Sequence, residues 1–594
     1  MKYSVPINRE NLKEIDGVIY FFHRLEEMLF DYTVDLYKMP LLNTYRLIKE
    51  FCDVHKRMAN GEVKEYQLNV VFDELIESLK SDIVLKECWG QEKVDRIVGS
   101  FGSSSNQAKC DTIKYLNSLF GNGKYYNWCV QVINKYVAQP KKKQKIEAAL
   151  RCFLPELISQ GYNPNFVYNT LKKTLSREVI VESSASNFIK IFDFKREKYR
   201  VYFCVSSIAK KYEEILKNRL NVHFEDDGNF ARFKKDNNKI IIYFDEIYAL
   251  CPNSAATIAY ERLDLFFSFY KFVSDQKSFS MKQRAMVVDE NDGFIFLPIQ
   301  SLTYNIINRI DYDEIGAQSD MLITGLLINA KSEYYLLSKS LEMHNTALAI
   351  PDLKSGFLNF WSSIEVLCKN VNAESKLESV LKVVIPILKK DYLISIIQDI
   401  DNSLKLNMTK EDYEWLLQQI EEQGCSKKKL FYMIFLSKYE ELRGKLNDKL
   451  TYYPVLRTRI SLLSKMNSTQ LLNDFINKYV QRVKWHIYRM YRARNAIVHS
   501  GEIPKNIKYL GEHLHSYVDS TLGEFVVKLS GEIPFKSIED ILVDVRFALL
   551  RLESVLDKNQ PIDDKILNMI IHPEIGHTMD CESQSQILCK RRIV

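Results

Sequence analysis

The chain has 594 residues, of which 82 are Lys or Arg and 76 are Asp or Glu, so its formal net charge is +6. Hydrophobic residues make up 46% of the sequence and charged residues 27%, with only 20 Gly and 14 Pro. These proportions exclude collagen-like, low-complexity and wholly disordered proteins. A net positive charge of only +6 does not by itself indicate a nucleic-acid-binding protein. The length predicts about three to five compact units.

Cysteine usage and the amino terminus indicate a cytoplasmic protein. The sequence has 11 cysteines, an odd number, and no Cys-x-x-Cys pair. Reduced thiols in a cytosol account for this more simply than a disulfide framework does. The first residues carry charges where a signal peptide needs an apolar run, and no segment is apolar enough to predict a membrane-spanning helix.

Residues 1–178 predict a helical N-terminal region. Leu25, Met28, Leu29 and Tyr32 recur at helical spacing, and similar patterns follow. Gly-rich segments at 99–106 and 121–123 interrupt the pattern as loops. The second of these resembles a phosphate-binding loop only superficially, and we interpret it as a turn.

Residues 179–316 predict a mixed α/β unit. Short β-branched and aromatic runs, typical of strands, lie at 179–182, 189–194, 199–205 and 240–244. The segment 226–229, Asp-Asp-Gly-Asn, predicts a hairpin turn between the last two runs. The acidic segment 289–293 is wrongly spaced for a calcium loop and predicts another turn.

Residues 317–594 predict a third, helical unit, whose periodicity continues to about residue 556. Its densest pattern lies between Phe475 and Val498. Apolar residues recur there at spacings of three and four, which places them on one face of a long helix. They are Ile476, Val480, Val483, Ile487, Met490 and Ile497. The missing member of this stripe is Arg494, and a guanidinium on the core-facing side requires an anionic partner.

The same helix carries charges of one sign. Six positive residues occur within 17 positions with no Asp or Glu between them, namely Lys478, Arg482, Lys484, Arg489, Arg492 and Arg494. Like charges at helical spacings repel, and a polyanion such as RNA alongside would relieve that repulsion. We therefore predict RNA contacts at Lys484, Arg489 and Arg492. The alternative is that acidic residues from elsewhere in the chain balance this face.

Five residues after Arg494 stands His499, followed by Gly501, which is a natural stop for the helix. On a straight helix His499 would be rotated about 140° from Arg494. If the helix frays near Val498, His499 can instead turn back towards Arg494 at a helix end that attracts a protonated imidazole. An arginine and a histidine suit phosphodiester cleavage, since the cation neutralises the phosphate while the imidazole transfers a proton.

The segment Arg494-Asn495-Ala-Ile-Val-His499-Ser-Gly501 resembles the signature of the HEPN superfamily of ribonucleases, specifically its Apea-like branch. Those domains carry an Arg-polar-x-x-x-His motif near the end of a long helix in a helical bundle. A second match, Phe357-Leu-Asn-Phe-Trp361-Ser-Ser-Ile-Glu365-Val-Leu, resembles an earlier helix of the family. The resemblance covers about 320–556, interrupted by a helical insertion at about 371–470.

The residues around Glu365 support one part of this resemblance independently. Leu358, Trp361, Glu365 and Cys368 share one side of a helix, so Glu365 lies on a largely apolar face. Two inward-facing groups of opposite charge are natural partners, and we expect a pair between Glu365 and Arg494. By the resemblance, Glu365 orients Arg494 and Asn495 helps to fix the site. A purely structural pair is the alternative.

The residue patterns and the resemblance together predict a mainly α protein: the patterns give an N-terminal helical region and the central α/β unit, and the resemblance gives a C-terminal HEPN-like bundle with a helical insertion. It also implies RNA cleavage without metal or other cofactor, in which the ribose 2′-hydroxyl attacks phosphorus, with catalysis by Arg494, Asn495 and His499. A homodimer or higher even oligomer would supply both a base and an acid. Many such bacterial domains act in phage defence by abortive infection, so residues 1–316 would sense a phage-encoded trigger.

Two other functions stay open on sequence grounds. One is a non-catalytic HEPN module that binds RNA or protein, with His499 as a helix cap. The other is a different enzyme within 179–316, although no phosphate-loop or paired-carboxylate pattern supports it. A zinc site in the tail at His572, His577, Cys581 and Cys589 fits no common template. His513 and His515 follow the motif, and we predict surface positions for them, with a position facing the site as the alternative for one of the two.

Overall fold

The computed structural model describes residues 1–4, 14–30, 33, 35–102, 106–121, 123–225, 239–274, 281–298, 332–350, 352–504, 506–529 and 537–571. Within these ranges the chain forms 23 α-helices and one five-stranded antiparallel sheet. The mainly helical fold with a small sheet in the middle is therefore confirmed. The predicted turn at 226–229 and the four tail residues weighed for zinc lie outside the described residues.

Ten helices build the N-terminal region around one central helix. They are α1 (Asp16–Leu29), α2 (Thr44–Ala59), α3 (Glu65–Ser81), α4 (Ile83–Trp89), α5 (Gln91–Ser100), α6 (Asn106–Phe120), α7 (Lys124–Val137), α8 (Lys143–Ser159), α9 (Pro164–Arg177) and α10 (Ser184–Lys190). Helix α1 is buried on every side from Gly17 to Leu29. A Cβ atom at Gly17 would overlap the carbonyl oxygen of Val137, so α1 and α7 can approach this closely only because residue 17 lacks a side chain.

Two predicted strands are wrong. Residues 179–182 form no strand, and the run at 189–194 begins inside helix α10. Phe188 and Phe192, four residues apart, pack edge-to-face with ring centroids 5.2 Å apart, and Phe188 also packs on Phe22 of α1. Helical spacing, rather than alternation, directs these aromatic side chains into the N-terminal core, so packing overrides the β propensity of the run.

The central unit is an antiparallel sheet with helices. Its strands are β1 (Glu197–Ser206), β2 (Val222–Glu225), β3 (Lys239–Ala249), β4 (Met281–Val288) and β5 (Phe294–Pro298), in the order β2-β3-β1-β4-β5. Helix α11 (Glu213–Leu220) lies between β1 and β2, and helix α12 (Pro252–Ser274) packs on one face of the sheet. The predicted turn at 289–293 joins β4 to β5, where Asp289 Oδ1 accepts a 2.9 Å hydrogen bond from the backbone N–H of Gly293.

The C-terminal helices share one hydrophobic core. They are α13 (Ser332–Ala349), α14 (Leu353–Leu367), α15 (Lys376–Asn407), α16 (Lys410–Gln418), α17 (Ser426–Phe435), α18 (Glu440–Lys449), α19 (Pro454–Ser464), α20 (Thr469–Ser500), α21 (Ile507–Leu529), α22 (Ile538–Leu556) and α23 (Asp564–Ile571). The segment predicted as an insertion at 371–470 does not stand apart. Its first helix, α15, packs against α20, α21 and α22.

Buried ion pairs join the N-terminal region to this bundle. Glu27 of α1 accepts hydrogen bonds from Arg24 (2.8 Å) and from Arg459 of α19 (2.9 Å). Arg459 also donates to Asp399 of α15 at 3.1 Å. Because Arg24, Glu27 and Arg459 are almost fully buried, each of their charges depends on its partners for solvation.

The described helices include none with the length and apolarity needed to cross a membrane. The nine cysteines in the described residues are all free thiols, and Cys204 and Cys368 are buried as predicted.

Replacing Phe188 with Ala should lower the free energy of unfolding by about 3–5 kcal/mol, because a fully buried aromatic ring leaves a cavity in the N-terminal core. Urea unfolding followed by circular dichroism measures the loss. Phe294→Ala is the matched control, since Phe294 is 46% exposed and its removal should cost less than about 1 kcal/mol. Equal losses for both variants would contradict the assignment of α10 to the core.

Candidate functional site

Helix α20 carries the predicted site. Its first turn is capped by Ser468, whose side chain accepts a hydrogen bond from the N–H of Leu471. The apolar stripe faces the core as predicted, with Ile476, Ile487 and Met490 almost fully buried. Gly501 ends the helix in the left-handed conformation at φ 69°, which confirms its predicted role.

Arg489 and Arg492 do not lie on an RNA-facing surface. Both side chains are buried, at 4% and 5% exposure. Arg489 donates to Glu50 of α2 at 2.8 and 2.7 Å and to Glu74 of α3 at 2.6 Å, and Arg492 donates to Glu50 at 2.9 Å. The prediction that these two residues contact RNA is therefore corrected, because the acidic residues of the N-terminal region already neutralise them.

The carboxyl groups of Glu50 and Glu74 have pKa values that are shifted in opposite directions. Burial alone would raise the pKa of Glu50, but Arg489 and Arg492 outweigh it and lower the pKa to about 2. Burial raises the pKa of Glu74 above its ordinary value although Arg489 opposes the change, and the nearby charge of Glu50 adds to the rise. Glu50 is therefore the carboxylate that holds the two arginines.

The other basic residues of helix α20 differ in how far their side chains are exposed to solvent. Arg482 contacts Asp35 at 3.3 Å, which extends the contact between α20 and the N-terminal region. Lys484 is half-buried and Lys478 is exposed, and neither forms a salt bridge with a carboxylate in the parts of the chain that the structure describes. Of the three predicted RNA contacts, only Lys484 is left for that role.

Arg494 and Glu365 lie close together, as predicted, but their contact is loose. The nearest nitrogen and oxygen atoms are 3.9 Å apart, beyond hydrogen-bonding distance, and the two side chains are 24% and 19% exposed. Arg494 Nη1 donates to the side-chain oxygen of its neighbour Asn495 at 3.2 Å. Arg494 therefore lies at the rim of the bundle, with part of its guanidinium open to solvent.

The Glu365 side of the site contains buried polar atoms without hydrogen bonds. Glu365 Oε1 and, one turn earlier on α14, Trp361 Nε1 are buried and have no partner among the described residues. The Trp361 ring packs 5.9 Å from the ring of Tyr491 on α20. Unpaired buried donors and acceptors are uncommon and are often found at functional positions. Here they lie on the helix that contacts Arg494.

His499 is exposed in the last turn of α20. The helix does not fray near Val498 but continues to Ser500, so the straight-helix alternative applies and His499 does not turn back towards Arg494. Five residues of unbroken helix separate Arg494 from His499 by about 140° of rotation and about 7.5 Å of rise. Within one chain the structure brings together Arg494, Asn495 and Glu365, but not His499.

Comparison with known proteins adds no further assignment. No family model matches the chain, and neither does any curated protein or solved structure.

Sequence reasoning missed two groups of buried polar residues. His513 and His515 are buried rather than on the surface. His513 contacts Asp35 and lies beside His486, whereas His515 contacts Asp519. The spacing of four between His515 and Asp519 could have indicated a shared helix face, but nothing local in the sequence relates Asp35 to His513.

Removing the carboxylate of Glu50 should strongly destabilise the protein. Glu50→Ala leaves Arg489 and Arg492 buried beside Glu74 alone, and we expect a loss of about 3–5 kcal/mol in the free energy of unfolding. Chemical denaturation measures it. The control is Glu92→Ala, which removes an exposed pair with Arg96 and should cost about 1 kcal/mol or less. A small effect at Glu50 would show that its contacts with the arginines contribute little to stability.

The contribution of Glu50 should depend on pH. Its folded-state pKa of about 2 lies below the ordinary value of 4.5, so its stabilising effect is complete above about pH 4.5 and is lost as the pH falls towards 2. The difference in unfolding free energy between wild type and Glu50→Gln should therefore shrink from pH 7 to pH 3. Glu74→Gln is the internal control, since the raised pKa of Glu74 predicts little or no destabilisation at pH 7. A Glu50→Gln effect that is constant with pH would contradict the assignment.

Proposed function

We propose that this chain is a metal-independent endoribonuclease of the HEPN type that acts as a homodimer or a higher even oligomer. The observation that carries the proposal is the state of Arg494. Of the four arginines of α20, it is the one without a carboxylate within hydrogen-bonding distance among the described residues, and it is partly exposed. Such a guanidinium can exchange its weak contact with Glu365 for two hydrogen bonds to a phosphate.

The proposed reaction follows from these groups. The ribose 2′-hydroxyl oxygen bonds to the adjacent phosphorus while the bond from phosphorus to the 5′ oxygen breaks, which leaves a cyclic phosphate and a free 5′-hydroxyl. Arg494 neutralises the phosphate oxygens, Asn495 helps to position them, and Glu365 orients Arg494. Imidazole groups remove the proton of the 2′-hydroxyl and supply a proton to the 5′ oxygen.

A second copy of the chain supports this chemistry in two ways. Each chain has one motif histidine, whereas the reaction benefits from both a base and an acid. Moreover, Arg494 and His499 face different directions on the unbroken helix. Two large apolar side chains near His499 are exposed, Val498 at 50% and Ile503 at 54%. Exposed apolar side chains beside the proposed catalytic group suit a contact between two copies.

We place this activity in anti-phage defence by abortive infection, on the strength of the family resemblance. The buried contacts from α20 to Glu50 and Glu74 support a role for the N-terminal region in control. A trigger that shifts α2 or α3 would disturb the helix that carries Arg494 and His499. Lys484 is the remaining candidate for an additional RNA contact.

The separation of Arg494 from His499 within one chain also favours a second candidate, a non-catalytic module that binds RNA or a protein. In that case His499 only occupies the helix end, and the loose contact between Arg494 and Glu365 is structural. Binding of RNA without any cleavage product, under all activating conditions, would support this candidate.

The first test is cleavage of RNA in EDTA. Wild-type protein should produce fragments that end in a cyclic phosphate, and His499→Ala or Arg494→Ala should reduce the rate by about 100-fold or more. His55→Ala is the matched control, because His55 is a half-buried histidine of α2 stacked on Phe51, and its loss should leave cleavage unchanged. Equal cleavage by wild type and His499→Ala would end the proposal.

The second test asks whether two copies share the site. Wild-type chains are co-expressed with a threefold excess of His499→Ala chains, and activity is measured per wild-type chain. If a site needs both histidines, random pairing leaves about one wild-type chain in four with a wild-type partner, so activity should fall to about a quarter. Unchanged activity per chain would show that each protomer works alone.

A further inference from the structure

Three side chains from two helices converge at a point on the bundle that the proposed ribonuclease site does not use. His344 of α13 and His515 and Asp519 of α21 place one nitrogen or oxygen atom each within 4.8 Å of one another. His344 Nε2 lies 2.9 Å from Asp519 Oδ1, and His515 Nε2 lies 3.2 Å from Asp519 Oδ2. Two imidazole nitrogens therefore point at the two oxygens of one carboxylate.

The surrounding structure fixes these groups in place. His515 and Asp519 are four residues apart, so they lie on the same face of α21. The ring of His515 stacks on Phe360 of α14, with centroids 4.6 Å apart and an interplanar angle of 23°, and His344 packs edge-on against Phe360 at 5.5 Å. A single aromatic ring thus holds both imidazoles, which keeps the loss of side-chain freedom on ligand binding small.

The cluster is reachable from solvent. The side chains of His344 and Asp519 are 15% and 27% exposed, whereas that of His515 is 7% exposed. An ion can therefore enter from the side of His344 and Asp519 while the inner ligand, His515, remains shielded. An entry path together with an ordered inner ligand is what a protein-bound metal requires.

The charge around the cluster also suits a cation. Asp519 contacts His344 and His515, and no Lys or Arg among the described residues forms a salt bridge with it. A second cluster in the chain, Asp35 with His486 and His513, differs in this respect. Arg482 lies 3.3 Å from Asp35 there, so a permanent positive charge opposes a metal ion.

We propose that His344, His515 and Asp519 form a binding site for a divalent transition-metal ion, with Zn²⁺ as the ion that fits best. Two imidazole nitrogens and a carboxylate oxygen are a common set of three protein ligands for zinc, and they leave a fourth position open to solvent. The three ligand atoms lie within 4.8 Å of one another. Tetrahedral zinc places its ligand atoms about 3.3 Å apart, so no separation needs to shorten by more than about 1.5 Å. The ion would join α13 to α21 and is not required by the proposed RNA cleavage.

Binding is tested on the full chain after removal of metals with EDTA and exchange into chelator-free buffer. Titration with Zn²⁺ in a calorimeter should give one tight site per chain, and Co²⁺ should give the visible absorption of a four- or five-coordinate ion with nitrogen ligands. His344→Ala should weaken Zn²⁺ binding by at least about tenfold, as loss of a ligand does. Asp519→Asn, which preserves the shape of the side chain, should do the same. His55→Ala is the control and should bind like wild type.

Thermal unfolding gives a second readout. Saturating Zn²⁺ should raise the Tm of wild type and of His55→Ala, because an ion that binds only the folded state stabilises it. It should not raise the Tm of the folded His344→Ala or Asp519→Asn proteins, whose folding is checked by circular dichroism. If His344→Ala does not fold, Asp519→Asn and the Co²⁺ spectrum of wild type still decide the outcome.

Three results would overturn the metal site. These are no Zn²⁺ binding by wild type, binding that persists in both the His344 and Asp519 variants, and binding that is lost in His513→Gln but kept in His344→Ala. The last result would assign the ion to the cluster around Asp35. Because every readout is binding or stability, failure here leaves the ribonuclease proposal untouched, and failure of RNA cleavage leaves the metal site untouched.

Discussion

The contact of Glu50 with Arg489 and Arg492 fixes helix α20 against the N-terminal helices. A guanidinium group cannot lose its proton, so two of them inside the protein require a fixed negative charge beside them. Glu50 supplies that charge from α2, at distances of 2.7 to 2.9 Å. The position of α20 in the bundle is therefore tied to the N-terminal helices, and the bundle without them would leave these arginines unneutralised.

This constraint divides the surface of α20 into three parts. Its apolar stripe packs in the bundle core, Arg489 and Arg492 of its basic face pack against α2 and α3, and its last two turns include the exposed residues Val498, His499 and Ser500. Arg494 and His499 lie in those last turns. The proposed chemistry is thus confined to the helix end, where the charges of the N-terminal region no longer compensate those of the helix. Since Arg489 and Arg494 are five residues apart on one helix, a displacement of Glu50 that moved this helix would also move Arg494.

The features that the sequence predicts well are those decided within one or two helical turns. The stripe from Ile476 to Ile497 and the stop at Gly501 depend only on local spacing and on a backbone conformation that glycine favours. The proximity of Glu365 to Arg494 was also predicted, because both are charged residues on otherwise apolar helix faces. The burial of Arg489 was not predicted, since its partner Glu50 is 439 positions away and the charge pattern of α20 looks the same with or without it. Helix α10 was not predicted for a related reason. The aromatic run at 189–194 has the β propensity of a strand, and the packing of Phe188 against Phe22 of α1 cannot be recognised from the local sequence.

Helix α14 connects the two proposed sites. Phe360 supports both imidazoles of the His344 cluster, while Glu365 contacts Arg494. These two residues are five positions apart, so they project from α14 about 140° apart and the two sites do not overlap. An ion that joins α13 to α21 would nevertheless hold the two imidazoles against Phe360 of α14, and with them the rotation of α14 that places Glu365 beside Arg494. The proposed metal site would then act on Arg494 through the position of a single helix, without a chemical role in the proposed cleavage.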